Sequence, residues 1–231
     1  MSKGLKVMVI VNSQRPVVAA PSSAAEGRHP HPSIQSRAKR CFDILGALIG
    51  LTITALLLIP IAIAIQFDSP GPIFYSQLRC GYRGKPFRLW KFRSMVANAE
   101  QLKHLVQNQA TGHIFKNSND RRITRVGRFL RSTSLDELPQ FWNVLMGQMS
   151  LVGTRPPTLD EVQHYDPHHW QRLNVKPGLT GEWQVYGRSC VLDFEEIVQL
   201  DLRYQRRWSM QYDLSLIVKT IGSVLARQGA Y

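Results

Sequence analysis

Cysteine is scarce in this chain, and none of it is arranged for a structural purpose. The three residues, Cys41, Cys80 and Cys190, have no metal-ligand spacing and no even-numbered framework, so they read as buried free thiols. Glycine-rich phosphate loops of the GxGxxG and P-loop types are missing, which leaves no sequence case for a nucleotide-binding βαβ unit. No internal repeat is visible, which excludes a solenoid. Acidic residues are few, 16 against 29 Lys and Arg, giving a net charge of +13. Partners are therefore expected to be anionic: nucleic acid, acidic lipid head groups or phosphorylated substrates. Near the N-terminus, the apolar patch Val7 to Val11 behind Lys3 and Lys6 is too short for a signal peptide.

What the chain does have is one long uncharged run. Residues 14–36 are rich in Pro, Ser, Ala and His and read as a tether, with His29 and His31 as linker residues. Ile44 to Ile65 then holds 22 residues without a charge, about 33 Å of helix, long enough for a bilayer core. Basic residues flank it on both sides: Arg37, Lys39 and Arg40 before, Arg79, Arg83, Lys85 and Arg88 after. Such flanks favour keeping both ends on the cytoplasmic side. Pro60 lies inside the run and removes a backbone donor there. A kinked helix that enters and returns to one face satisfies both observations; a single-pass helix satisfies only the length.

The breaker cluster Ser69-Pro70-Gly71-Pro72 ends that segment, and two aromatic stretches around Gly81-Tyr82-Arg83-Gly84 predict a β-hairpin. Lys91 and Arg93 share one face of its second strand, either a solvent face or the wall of an anion site. Residues 96–109 predict a helix, 111–119 a loop, and Arg121 to Leu130 a basic amphipathic stretch. Leu179 to Ser189 reads as a short strand running into a turn with Arg188. Two amphipathic helices close the chain, one over about 193–207 and one starting at Asp213 as N-cap. Glu161, His164 and His168 have the residue types of a metal site, but Asp166-Pro167 separates the two histidines and disfavours it.

The centre of the chain is Arg131 to Thr158. Asp136 and Glu137 precede an apolar run, Leu138, Phe141, Trp142 and Leu145, and Ser134 with Glu137 reads as a capping box. Both acids would sit at a helix N-terminus, where the dipole favours their charged forms. Arg121, Arg122, Arg125, Arg128, Arg131 and Arg155 crowd the same stretch. Taken by pattern alone, this is either a capped helix with a solvated basic face or a phosphate-handling site with a metal.

In this order, five motifs settle on one resemblance: Lys39-Arg40-Cys41-Phe42-Asp43, Lys91-Phe92-Arg93-Ser94-Met95, Ser134-Leu135-Asp136-Glu137-Leu138, Gly153-Thr154-Arg155-Pro156, and Pro177-Gly178-Leu179-Thr180-Gly181 leading to Gly187-Arg188. With them the chain resembles the bacterial sugar transferases, monotopic phosphoglycosyl transferases that move a sugar-1-phosphate from a UDP-sugar to polyprenyl phosphate. The fold implied is α+β: a small membrane-associated domain with an N-terminal re-entrant helix, a short β-hairpin and several amphipathic helices. The corresponding division is a tail over 1–36, a membrane helix over 37–68 and a cytoplasmic catalytic domain over 69–231. By the resemblance Asp136 is the nucleophile and Glu137 the Mg²⁺ ligand, with Lys91, Arg93, Arg131, Arg155 and Arg188 binding phosphate. The implied partners are a hexose-bearing UDP-sugar, undecaprenyl phosphate and inner-membrane lipids at the cytoplasmic face, with no nucleic acid; a homo-oligomer is left open. Two positions depart from the family pattern: Ile59 precedes Pro60 where serine is common, and Thr154 precedes Arg155 where proline is common. The family resemblance also reads the chain as a catalytic unit behind an unusual tail.

Overall fold

The computed structural model describes residues 29–187 and 191–226. Most of the expected tail, together with Arg188 and Cys190, lies outside them. After a short helix α1 (Pro32–Gln35), α2 runs from Arg37 to Asp68 as one 32-residue element. Ser36 starts it: the Ser36 side chain accepts the Lys39 N–H at 3.2 Å, satisfying a donor that the first turn would leave bare. The helix is continuous through Pro60. It stops at Ser69, whose N–H still reaches the Ile65 carbonyl at 2.9 Å before Pro70.

This helix is packed along its length against one body. Near its start, Lys39 is buried against Asp213 and the Val152 carbonyl, while Asp43 accepts the Ser150 hydroxyl at 2.8 Å and the Leu151 N–H at 2.9 Å. Midway, Gly50 meets the Phe141 ring so closely that a Cβ would lie 2.3 Å from it; only glycine permits that approach. At the far end, Asp68 accepts the Val126 N–H at 2.7 Å, and Ile61 and Ile65 join a core with Ile73, Phe92 and Leu130. The outward face carries Leu45, Ile49, Leu56, Ile59, Ile63 and Phe67, with Leu56 74 % and Phe67 88 % exposed. Among the described residues, α2 alone is long and apolar enough to cross a membrane by length and composition.

The hairpin is present. Strand β1 (Phe74–Cys80) pairs antiparallel with β2 (Pro86–Phe92) through the turn Tyr82–Gly84, with Tyr75 opposite Lys91 and Phe74 stacked on Phe92 at 5.4 Å. The basic stretch after residue 120 forms α3 (Arg125–Ser132), capped by Thr124. A six-residue α4 (Gln140–Leu145) follows, then β3 (Ser150–Val152), the one-turn α5 (Leu159–Val162), β4 (Gly178–Thr180), α6 (Glu182–Tyr186), α7 (Phe194–Arg207) and α8 (Met210–Leu225). β3 and β4 are a parallel pair. The result is a mixed helix and strand fold with one long apolar N-terminal helix and a short antiparallel pair.

Several local expectations are corrected. Residues 96–109 form turns and one 3₁₀ turn, Lys103–Leu105, rather than an α-helix. The segment after Gly181 is the helix α6 and not a turn, leaving β4 three residues long. α8 begins earlier than expected, at Ser209, whose side chain accepts the Tyr212 N–H at 3.1 Å. Asp213 is instead buried inside it, taken by Lys39, Tyr204 and Trp208. Cys80 is buried as expected, but Cys41 is exposed on the outer side of α2.

Candidate active site

The hairpin, the loop after it, α3 and the 3₁₀ turn Leu135–Glu137 enclose a cavity of about 640 Å³. Strand alternation explains one wall. Tyr75, Gln77 and Arg79 on β1, with Leu89 and Lys91 on β2, all line it, because residues two apart share a face. Of the expected site residues, Lys91, Arg93, Arg131, Asp136, Glu137 and Arg155 come together here. Arg121, Arg125 and Arg128 do not line the cavity, and Arg188 lies outside the described residues.

The two acids are held by an arrangement different from the capping box expected for Ser134 and Glu137. Ser134 makes no side-chain cap hydrogen bond and adopts the left-handed region at φ 58°, an uncommon conformation for a residue with a Cβ. The chain then tightens into 3₁₀ hydrogen bonding, Glu137 N–H to Ser134 O at 3.1 Å and Leu138 N–H to Leu135 O at 3.3 Å. Asp136 is buried, 4 % exposed. The Lys91 ammonium bridges the pair, 2.7 Å from Glu137 Oε1 and 3.8 Å from Asp136 Oδ2. Two adjacent carboxylates beside a lysine share a cavity lined by five arginines, Arg79, Arg93, Arg122, Arg131 and Arg155, a cation set of the kind that can hold a polyanion.

The arginines differ in how they are engaged. Arg131 Nε donates to the Ser94 hydroxyl at 2.9 Å. Arg93 donates to the carbonyls of Ser69 and Pro70, which ties β2 to the end of α2. Arg155 makes a two-pronged pair with Glu161, at 2.8 and 3.1 Å, and lies over the Trp183 ring. Burial pushes the Glu161 carboxyl up, but the Arg155 charge and hydrogen bonds override it and hold the carboxyl below its usual range. Arg79 was named in the sequence only as a flanking charge. It lines the cavity and donates to the Pro156 carbonyl at 2.9 Å, and burial with the nearby Arg155 charge lowers its guanidinium from its ordinary value. The alternation Tyr75-x-Gln77-x-Arg79 carried that signal.

Glu161, His164 and His168 do not converge on a metal. Asp166, His168 and His169 do offer ligand atoms within 4.8 Å of one another. The hydrogen bonds point elsewhere, however: Asp166 N–H donates to His169 Nδ1 at 3.0 Å, which leaves the proton of a neutral ring on Nε2, 3.2 Å from Glu195. This is a hydrogen-bonded array joining the turn His169–Asn174 to α7. Asp136 and Glu137 offer hard carboxylate oxygens, the donor type that Mg²⁺ takes.

The family model described as "Bacterial sugar transferase" matches residues 34–227. The chain is 51% identical over 195 residues to the Galactosyl transferase CpsE of Streptococcus agalactiae, covering 84% of this chain and 43% of that protein. It is 45% identical over 199 residues to the Undecaprenyl-phosphate galactose phosphotransferase of Salmonella typhimurium, covering 84% and 41%. It is 37% identical over 204 residues to the Exopolysaccharide production protein ExoY of Rhizobium meliloti, covering 86% and 90%. The chain thus spans about two fifths of the length of the first two relatives and nearly all of the third.

Proposed function

The chain belongs to the bacterial sugar transferase family, and on that premise we propose that it moves a hexose-1-phosphate from a UDP-sugar to undecaprenyl phosphate. The observation that carries this reading is the Lys91 ammonium bridging Asp136 and Glu137 inside an arginine-lined cavity. Names of relatives support the donor and acceptor: one is a galactose phosphotransferase acting on undecaprenyl phosphate, and others are UDP-glucose:undecaprenyl-phosphate glucose-1-phosphate transferases. Glucose and galactose are accordingly the favoured sugars.

In the first half-reaction an Asp136 carboxylate oxygen attacks the β-phosphorus of the donor. The bond from that phosphorus to the bridging oxygen breaks, and its electron pair leaves on UMP. In the second, a phosphate oxygen of undecaprenyl phosphate attacks the same phosphorus and expels the carboxylate, giving a lipid diphosphosugar and regenerating Asp136. A buried carboxylate held in a fixed turn is suited to such a nucleophile. Lys91 pairs with both acids and is within reach of a phosphate that replaces one of them; Arg131, Arg79 and Arg155 oppose the donor's charge, with Arg93 as a fixed charge in the wall. Mg²⁺, held by Glu137, would neutralise diphosphate charge.

The membrane part of the reading rests on α2. Both of its ends and its middle bond to the same body, through Asp43, Thr54 and Asp68, which favours a helix dipping into one leaflet over one crossing to the far side. Its apolar outer face needs a lipid cover, and the flanking cations favour the cytoplasmic side of the inner membrane. The catalytic cavity then lies near the head groups, where a lipid phosphate presents itself. The test is transfer of labelled hexose from a panel of UDP-sugars, with Mg²⁺ and with or without undecaprenyl phosphate. Lipid labelling from UDP-galactose or UDP-glucose is expected; UMP release from no donor in the panel would overturn the reading.

A further inference from the structure

Part of the cavity wall is a loop, residues 108–116, that the sequence left without a role. It is tightly braced. Asn108 Nδ2 donates to the Ile114 carbonyl at 2.8 Å, Gln109 N–H to the Lys116 carbonyl at 2.8 Å, and Thr111 N–H to the Leu192 carbonyl at 2.9 Å. The bracing presents Phe115 to the cavity, half-buried. Arg122 lies 5.4 Å from the centre of that ring. Its guanidinium cannot wander: Asp120 accepts from it at 2.7 to 3.1 Å, and the Ala99 carbonyl accepts at 3.1 Å. Lys103 reaches the same ring, at 5.7 Å, from an exposed 3₁₀ turn, and its flexible stem lets it yield to an incoming group.

Three other aromatic side chains line the cavity, and Tyr75, on β1, stands opposite Lys91 in the strand register. Phe74 and Phe92 stack on each other, and Phe92 is fully buried. Phe115 is the phenyl ring of this wall with both a fixed cation and a displaceable cation over it, and a flat aromatic ligand can take the place of the displaceable one. We propose that Phe115 is the stacking platform for the nucleobase of the donor, with Arg122 fixing the ring and Lys103 moving aside. The proposal rests on the sugar-transfer reading for the identity of the nucleotide, but not for the stacking itself. A cavity of about 640 Å³ gives a base at Phe115 and a diphosphate at the arginines room in one pocket.

The experiment measures UMP binding to the full chain by calorimetry in detergent, without acceptor lipid, for the wild type, Phe115→Leu and Phe115→Trp. Leucine keeps apolar bulk and removes the π face; tryptophan keeps the face. Leucine is expected to weaken UMP roughly tenfold, and tryptophan to hold it within about twofold, since aromatic stacking tolerates a change of ring. Unfolding temperature, measured in parallel, should be unchanged in both. Equal UMP affinity in the leucine variant, or no UMP binding by the wild type, would overturn the proposal. The two readings separate cleanly: loss of sugar transfer with retained, Phe115-dependent UMP binding would sink the transferase reading alone.

Discussion

The chain contains nearly the same tetrapeptide twice, Ser134-Leu135-Asp136-Glu137 and Thr158-Leu159-Asp160-Glu161. The second copy is a capping box: Thr158 accepts the Glu161 N–H at 3.1 Å, and Glu161 accepts the Thr158 N–H at 3.3 Å. The first copy is not. Its serine sits at φ 58°, its residues close a 3₁₀ turn, and its glutamate faces Lys91. The difference lies just downstream. Pro139 follows Glu137 by two residues, so an α-helix starting at Leu135 would place proline in its interior, without the N–H for the Leu135 carbonyl. The 3₁₀ turn satisfies that carbonyl from Leu138 instead. One proline thus turns a helix cap into a loop that carries a buried aspartate into the cavity, whereas Asp160 of the other copy is exposed.

The largest contrast expected between the copies is in activity. Asp136→Asn should lower sugar transfer by about 10³-fold or more, equivalent to about 4 kcal/mol of barrier, while Asp160→Asn stays within about twofold; comparable losses in the two would remove the distinction. Next comes Glu161→Gln, which leaves a half-buried Arg155 without its anion and should cost about 2 kcal/mol in denaturant unfolding. The folded Glu161 carboxyl is held below the ordinary 4.5, so its contribution is present above that value and lost as pH falls through the folded one. The stability difference between wild type and Glu161→Gln should accordingly shrink as pH falls below 4.5; a constant difference would contradict the assignment. Smallest is the cap position. Thr158→Ala should cost about 1 kcal/mol in denaturant unfolding; no loss there would contradict the capping box at Thr158 and Glu161.

That comparison also marks where sequence reasoning stops. The hairpin was legible from alternating aromatics around Gly81 to Gly84, and α7 from its apolar spacing over about 193–207. Both depend on contacts between near neighbours. The misreading of Ser134-x-x-Glu137 has one local cause, Pro139, which the capping-box pattern overrode, and one distant cause, Lys91, which takes the glutamate. Asp213 was misread for a similar reason. It has the chemistry of a cap, but Lys39 at the other end of the chain claims it, and Ser209 caps α8 four residues earlier. Among the residues lining the cavity, Lys91, Arg131 and the acids were named as candidates from their pattern and given roles by the family resemblance. Arg79 and Phe115 were not, because a strand face and a braced loop become cavity walls only after the hairpin and α3 have closed around them.

The central claim is that Asp136 becomes covalently phosphorylated by the donor. Its most direct test is a single-turnover experiment with a UDP-sugar labelled at the β-phosphorus, without acceptor lipid, followed by rapid quenching and peptide mapping. The account predicts a burst of UMP approaching one per protein and label on the peptide containing Asp136, both lost in Asp136→Asn. UMP formed only when undecaprenyl phosphate is present, with no labelled peptide, would contradict it and leave direct attack by the lipid phosphate as the mechanism.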